Sequence, residues 1–139
     1  MTFTAQRIVQ ARMAELADAL AFADAFCAAQ QVARDQQLRL TLVIEELFSN
    51  TVQHGHGGDA ASPIRLALHP GTQGIELLYE DHAPAFDPLA WARDHAAAPQ
   101  VDPHAVGGRG VLMVLQLSSA TRYKYEDGCN RLWLHLPHR

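Results

Sequence analysis

Two changes of hydrophobic period divide this chain, and they restrict its fold more than its composition does. From Ala11 to about Gln30 apolar residues recur at helical spacing, with Met13, Leu16, Leu20, Phe22 or Ala23, and Cys27 on one face. A second helical stretch runs from about Gln36 to His54, with Asp35 as its expected N-cap and Gly55 ending it. Leu40, Val43, Ile44, Leu47 and Thr51 form its apolar face. The pattern then changes to strands at 64–69 and 75–80, joined by a turn at Pro70 and Gly71. It returns to helix after Gly107-Gly108-Arg109-Gly110, through VLMVLQLSS, and closes on strands at 121–125 and 130–136 around Asp127-Gly128. Residues 3–9 add a short first strand, and residues 88–106, with three prolines, an irregular segment containing a short helical piece. This order predicts an α+β domain: a two-layer α/β sandwich with a mixed, mostly antiparallel sheet and helices on one face. No repeat divides it, so residues 1–139 are expected to form a single domain.

The basic residues narrow the chemistry. Ten are arginine and only one, Lys124, is lysine, and no glycine-rich loop precedes that lysine. A P-loop is excluded, because its lysine must follow the phosphate-cradling glycines directly. The lysine, H-R-D and D-F-G set of eukaryotic-type protein kinases is missing too. A net charge of −4 without a basic stripe argues against nucleic-acid binding. Cys27 and Cys129 fit no C-x-x-C pattern and read as reduced thiols. With neither a signal-peptide layout nor an apolar run near 18 residues, a cytoplasmic protein with no membrane role is expected.

Three stretches place polar groups where periodicity does not require them. In Glu45-Glu46-Leu47-Phe48-Ser49-Asn50, a helical wheel sets Asn50 about 40° from Glu46, one turn on. A carboxamide there suits Mg²⁺, which keeps water and phosphate oxygens around few protein ligands. The nearby carboxylate suits proton transfer from a hydroxyl. A solvated helix face ending in a histidine is the alternative. Asp81 closes a strand before His82-Ala83-Pro84-Ala85-Phe86-Asp87-Pro88, where a carboxylate can accept from a ligand amine and Phe86 can wall it; a simple Asx turn is the alternative. Finally, Gly107, Gly108 and Gly110 around Arg109 let backbone N–H groups approach an anion at a helix start, or form an ordinary junction. His54 and His56 form an H-x-H in a Gly-rich loop, where solvated side chains are expected in preference to a zinc site.

Taken together and in this order, the three stretches resemble the GHKL (Bergerat) ATP-binding fold, and specifically the bacterial anti-sigma-factor serine/threonine kinases. The resemblance covers nearly the whole chain. Glu46 to Asn50, continuing to His54-Gly55, is similar to the N-box; by resemblance Asn50 ligates Mg²⁺ at the phosphates of ATP and Glu46 is the general base. Asp81 with Ala83, Ala85, Phe86, Asp87 and Pro88 resembles the box whose aspartate accepts from the adenine amino group. Gly107-Gly108-Arg109-Gly110-Val111-Leu112 resembles the second glycine box, which closes over the phosphates. The tail Asp127 to Leu132 resembles the subgroup's closing hairpin. The family carries glycine where this chain has Ala83, and a small residue or glycine at Ala85. Were the backbone at Ala83 left-handed, its methyl would cost about 1 kcal/mol.

The resemblance implies an ATP- and Mg²⁺-dependent serine kinase that phosphorylates a STAS-type anti-anti-sigma protein, holds a sigma factor inactive, and forms a homodimer. The alternative is a degenerate GHKL binding module that sequesters a partner with little ATP turnover. A sensor histidine kinase catalytic domain fits less well, because no dimerising hairpin with an acceptor histidine is present.

Overall fold

The computed structural model describes residues 3–95 and 108–138. Five strands form one sheet in the order β1-β2-β3-β5-β4: β1 (Ala5–Gln10), β2 (Pro63–Pro70), β3 (Gly74–Asp81), β4 (Ala120–Glu126) and β5 (Cys129–Pro137). Every pairing is antiparallel, so the expected mixture of strand directions gives way to a wholly antiparallel sheet. Short connections explain two of the four pairings. Three residues join β2 to β3, and the Asp127-Gly128 turn, with φ of 54° and 72°, joins β4 to β5. Turns of that hand follow the twist of an antiparallel pair and cannot make a parallel crossover.

Register sorts the two sheet faces. Leu66, Tyr79 and Leu132 stand in one cross-strand row and Leu68, Leu77 and Leu134 in the next, all buried under the helices. On the opposite face Arg65, Glu80 and Arg131 form a row in which Glu80 accepts from Arg65 Nη1 at 2.5 Å and from Arg131 Nε at 2.6 Å. Burial alone would raise the Glu80 carboxyl, but the two guanidinium groups outweigh it and hold it below the usual glutamate range.

The helical layer consists of α1 (Leu16–Ala29), α2 (Arg34–Ser49) and α4 (Gly108–Leu117), with the short α3 (Pro88–His95) at one end. The first helical stretch is divided: Met13–Glu15 is a 3-10 turn, and α1 buries Ala19, Ala23, Phe26 and Cys27. Its small residues let it lie close to α2, which buries Leu40, Val43, Ile44, Leu47 and Phe48. Asp35 is not the N-cap of α2. Ala33 holds that position without a side-chain bond, and Asp35 sits in the first turn, 3.9 Å from Arg39. A carboxylate there still complements the helix dipole. Gln36 ties this end to β5 by donating from Nε2 to Leu136 O at 3.1 Å.

Candidate functional site

Helix α2 does not continue to His54. At Asn50 it widens into a π-helical turn, Asn50–Gly55. The cause is a buried polar cluster at its end. Tyr79 Oη lies 3.1 Å and Thr51 Oγ1 3.0 Å from Leu47 O, so side chains compete for a carbonyl that the helical ladder would use. The wider turn directs Asn50, Thr51, His54 and Gly55 to a cleft of about 430 Å³. Apolar Leu47, Val111, Val114, Leu115 and Leu132 line it together with Tyr79, Asp81, Trp91, Tyr123 and Asn130. An apolar cleft with few converging polar groups is the usual form of a small-molecule site.

Asp81 is the most tightly held of these groups. It is 8% exposed. Oδ2 accepts from Thr51 Oγ1 at 2.7 Å, while Oδ1 accepts from Ala83 N at 3.2 Å and Asn130 Nδ2 at 2.9 Å. A carboxylate offers about four acceptor places, so these three leave room for one more donor, as an amine of a ligand would supply. Thr51 has a single proton; with Asp81 taking it, the Tyr79 hydroxyl is the donor, shared between Thr51 Oγ1 at 2.7 Å and Leu47 O at 3.1 Å. Burial, and then the Asp81 charge, push the Tyr79 hydroxyl well above its ordinary value, so it stays a neutral donor. Asn130 clasps the turn after Asp81: Nδ2 also donates to Ala83 O at 2.9 Å, and Oδ1 accepts from Phe86 N at 3.1 Å and from the Tyr123 hydroxyl.

At the other end of the site, the first and third stretches meet. Glu46 is half-buried and does not line the cleft; it lies beside it, against the first turn of α4. A Cβ placed on Gly110 would stand 2.1 Å from Glu46 Oε2, so the carboxylate lies where a methyl would go and a side chain here would turn it aside. Val111, the next residue, is buried and lines the cleft. The helix therefore brings the Glu46 carboxylate and the glycine-rich stretch into contact. Gly107 and the Arg109 side chain lie outside the described residues.

Ala83, Ala85 and Phe86 also line the cleft, Phe86 as an exposed ring at 47%. Ala83 is not left-handed: among the described residues only Gln31 and Asp127 are non-glycine residues with positive φ. Its methyl instead packs against Gly55, where an added Cβ would lie 2.7 Å away. The backbone penalty expected there does not arise. His54 faces the cleft, but His56 is not simply solvated, since its Nε2 is buried without a hydrogen-bond partner.

Sequence reasoning assigned no site role to Thr51, Tyr79, Trp91, Tyr123 or Asn130. Thr51 read as part of an apolar face and Asn130 as part of a hairpin. One signal was available for Trp91. Asp87 caps α3, its Oδ1 accepting from Leu89 N at 2.9 Å and Ala90 N at 3.2 Å, with Pro88 in the first helical position. Asp-Pro before Leu-Ala-Trp is a helix-start pattern, and it places Trp91 one turn on, at the cleft. There the indole stacks on His95 with centroids 4.1 Å apart.

Among the described residues no cluster of three or more His, Cys, Asp or Glu is placed to hold a metal. Mg²⁺ requires no such cluster, since it accepts a single carboxamide oxygen, such as that of Asn50, beside phosphate and water. Nor, among the described residues, is any helix long and apolar enough to cross a membrane. A comparison with curated proteins returned no match. The family model for the histidine kinase-like ATPase domain matches residues 9–136, nearly the full chain, and supports ATP binding. By this match, with which the antiparallel sheet layered with helices is consistent, the chain belongs to the histidine kinase-like ATPase domain family.

Proposed function

We propose that this protein is an ATP- and Mg²⁺-dependent serine kinase of the anti-sigma-factor type. It phosphorylates a STAS-type anti-anti-sigma protein, holds a sigma factor inactive, and works as a cytoplasmic homodimer. The observation that carries the kinase reading is the contact of the Glu46 carboxylate with Gly110, one helical turn from Asn50. A base, a cation ligand and a glycine-rich helix start converge there, as transfer of a terminal phosphoryl group to a hydroxyl requires.

Each residue then has a task. Asp81, held by Thr51 and Asn130, accepts from the adenine amino group, and the apolar walls exclude water from the base. Asn50 would hold Mg²⁺, whose charge, when bound, offsets that of the phosphates. Arg109 and the glycine backbone bind the terminal phosphates. Glu46 takes the proton from the serine Oγ as that oxygen attacks the terminal phosphorus, and the leaving oxygen departs with ADP. In such a switch nucleotide state and partner affinity are coupled in both directions. The binding-module reading drew on Ala83 and Ala85; the backbone strain at Ala83 that would have favoured it does not arise.

The test is transfer of labelled phosphate from ATP to a purified anti-anti-sigma protein. Glu46→Gln should bind Mg-ATP and transfer nothing. Full transfer by that variant would remove Glu46 as the base.

A further inference from the structure

Gly55 and Ala83 lie 28 residues apart in sequence and meet at the floor of the cleft, one at the end of the π-turn and the other in the turn after Asp81. We propose that they act as a paired spacer with room for one methyl group. This pair fixes the distance between the turn carrying Asn50 and the turn carrying Asp81, and thereby sets nucleotide affinity. The proposal rests on the nucleotide-binding reading and names positioning residues within that site.

Three observations carry it. A Cβ on Gly55 would lie 2.7 Å from the Ala83 Cβ, well inside the roughly 3.5–4.0 Å at which carbon atoms pack. Gly55 has no positive φ, so its backbone does not call for glycine; the contact does. Neither side can withdraw cheaply. Ala83 is 4% exposed and held at both backbone ends, its N–H on Asp81 Oδ1 and its carbonyl under Asn130 Nδ2. Just past Gly55, His56 N donates to Thr51 O at 2.9 Å and Gly58 N to Val52 O at 2.7 Å, which closes that turn on itself.

A second methyl must therefore force the two turns apart. Asn50 moves with one and Asp81 with the other, so a single ligand no longer reaches both. Removing the Ala83 methyl makes the room again. The side chain at position 83 and the glycine at 55 thus act as one unit, although each lies on a different element.

A double-mutant cycle on the full chain tests this, using Gly55→Ala, Ala83→Gly and both together. Calorimetry would measure Mg-ATP affinity, and thermal unfolding without nucleotide would measure stability. Gly55→Ala should weaken Mg-ATP binding about tenfold, as expected of residues in direct contact, and the double variant should return to within about threefold of the parent. If Gly55→Ala does not fold, the double variant should still fold and bind. Parent-like affinity in Gly55→Ala overturns the proposal, even if its unfolding midpoint falls, because the contact would then serve stability alone. A double variant as weak as Gly55→Ala, or one that does not fold, overturns it too. If the parent itself binds no Mg-ATP, the nucleotide reading fails and the spacer role fails with it; the other negative results leave that reading standing.

Discussion

The two ends of the cleft are built on opposite plans. At the Asp81 end, polar groups from the π-turn, β3 and β5 brace one another, and one carboxylate receives three hydrogen bonds from three different segments. At the α4 end, the Glu46 carboxylate packs close against Gly110, where a methyl would turn it aside. Under the proposed function, the difference matches two kinds of work. Recognising a planar base needs donors and acceptors fixed before the ligand arrives, since groups already ordered lose little entropy on binding. Moving a phosphoryl group needs a base and an anion-binding helix start brought together, with room left for the reacting atoms.

Substitutions at the two ends should separate accordingly. The largest effect is expected at Asp81. Asp81→Asn keeps the shape but replaces a charged acceptor with a group that turns a donor toward Thr51 or Asn130. Calorimetry should show Mg-ATP affinity falling about 100-fold, the consequence of losing roughly 2–3 kcal/mol from a buried, charge-assisted interaction. Asn130→Ala comes next. It leaves the Phe86 amide and the Ala83 carbonyl without their partner, so chemical denaturation should report a loss of about 2 kcal/mol, with Mg-ATP affinity down about tenfold. An unchanged affinity would mean that the clasp supports the fold and not the site.

Gly110→Ala should act the other way round. The methyl displaces the Glu46 carboxylate, so kcat for phosphoryl transfer should drop about tenfold while affinity for Mg-ATP changes less than about threefold. Equal losses in both would join the two ends into one unit and break the comparison. The smallest effect belongs to Glu80, on the sheet face away from the helices. Its carboxyl is held below the ordinary value near 4.5, so the unfolded chain binds the proton more readily than the folded one. The stability that follows is complete above that ordinary value and is lost as pH falls through the lower, folded one. Glu80→Gln should therefore cost about 1 kcal/mol at neutral pH and almost nothing in strong acid, and leave Mg-ATP affinity unchanged.

Much of this was legible in the sequence, and the remainder has a common cause. Hydrophobic period is local, so the helices, the hairpins and their order could be read from residues a few positions apart. Asp81 and Phe86 could be placed at a strand end by the same logic. The contacts that make the site are between distant residues. Thr51 has the spacing of a core residue and becomes the partner of Asp81 only because β3 ends beneath α2. Asn130 looks like part of a hairpin until its carboxamide is seen spanning Asp81 to Phe86. Likewise the glycines at 55 and 110 could be read as turn and loop residues, whereas in the structure they face Ala83 and Glu46. The π-turn at Asn50 escaped notice because side chains from two elements, and not the local residues alone, disturb the helical ladder.

Thermal unfolding of the protein with and without millimolar Mg-ATP tests the central claim most directly. A ligand present at 100 times its Kd adds about 2.7 kcal/mol to the folded state. The account predicts a clear rise in the unfolding midpoint that Asp81→Asn abolishes and Gly110→Ala retains. A midpoint that saturating Mg-ATP leaves unmoved, or one that rises equally in Asp81→Asn, would contradict it.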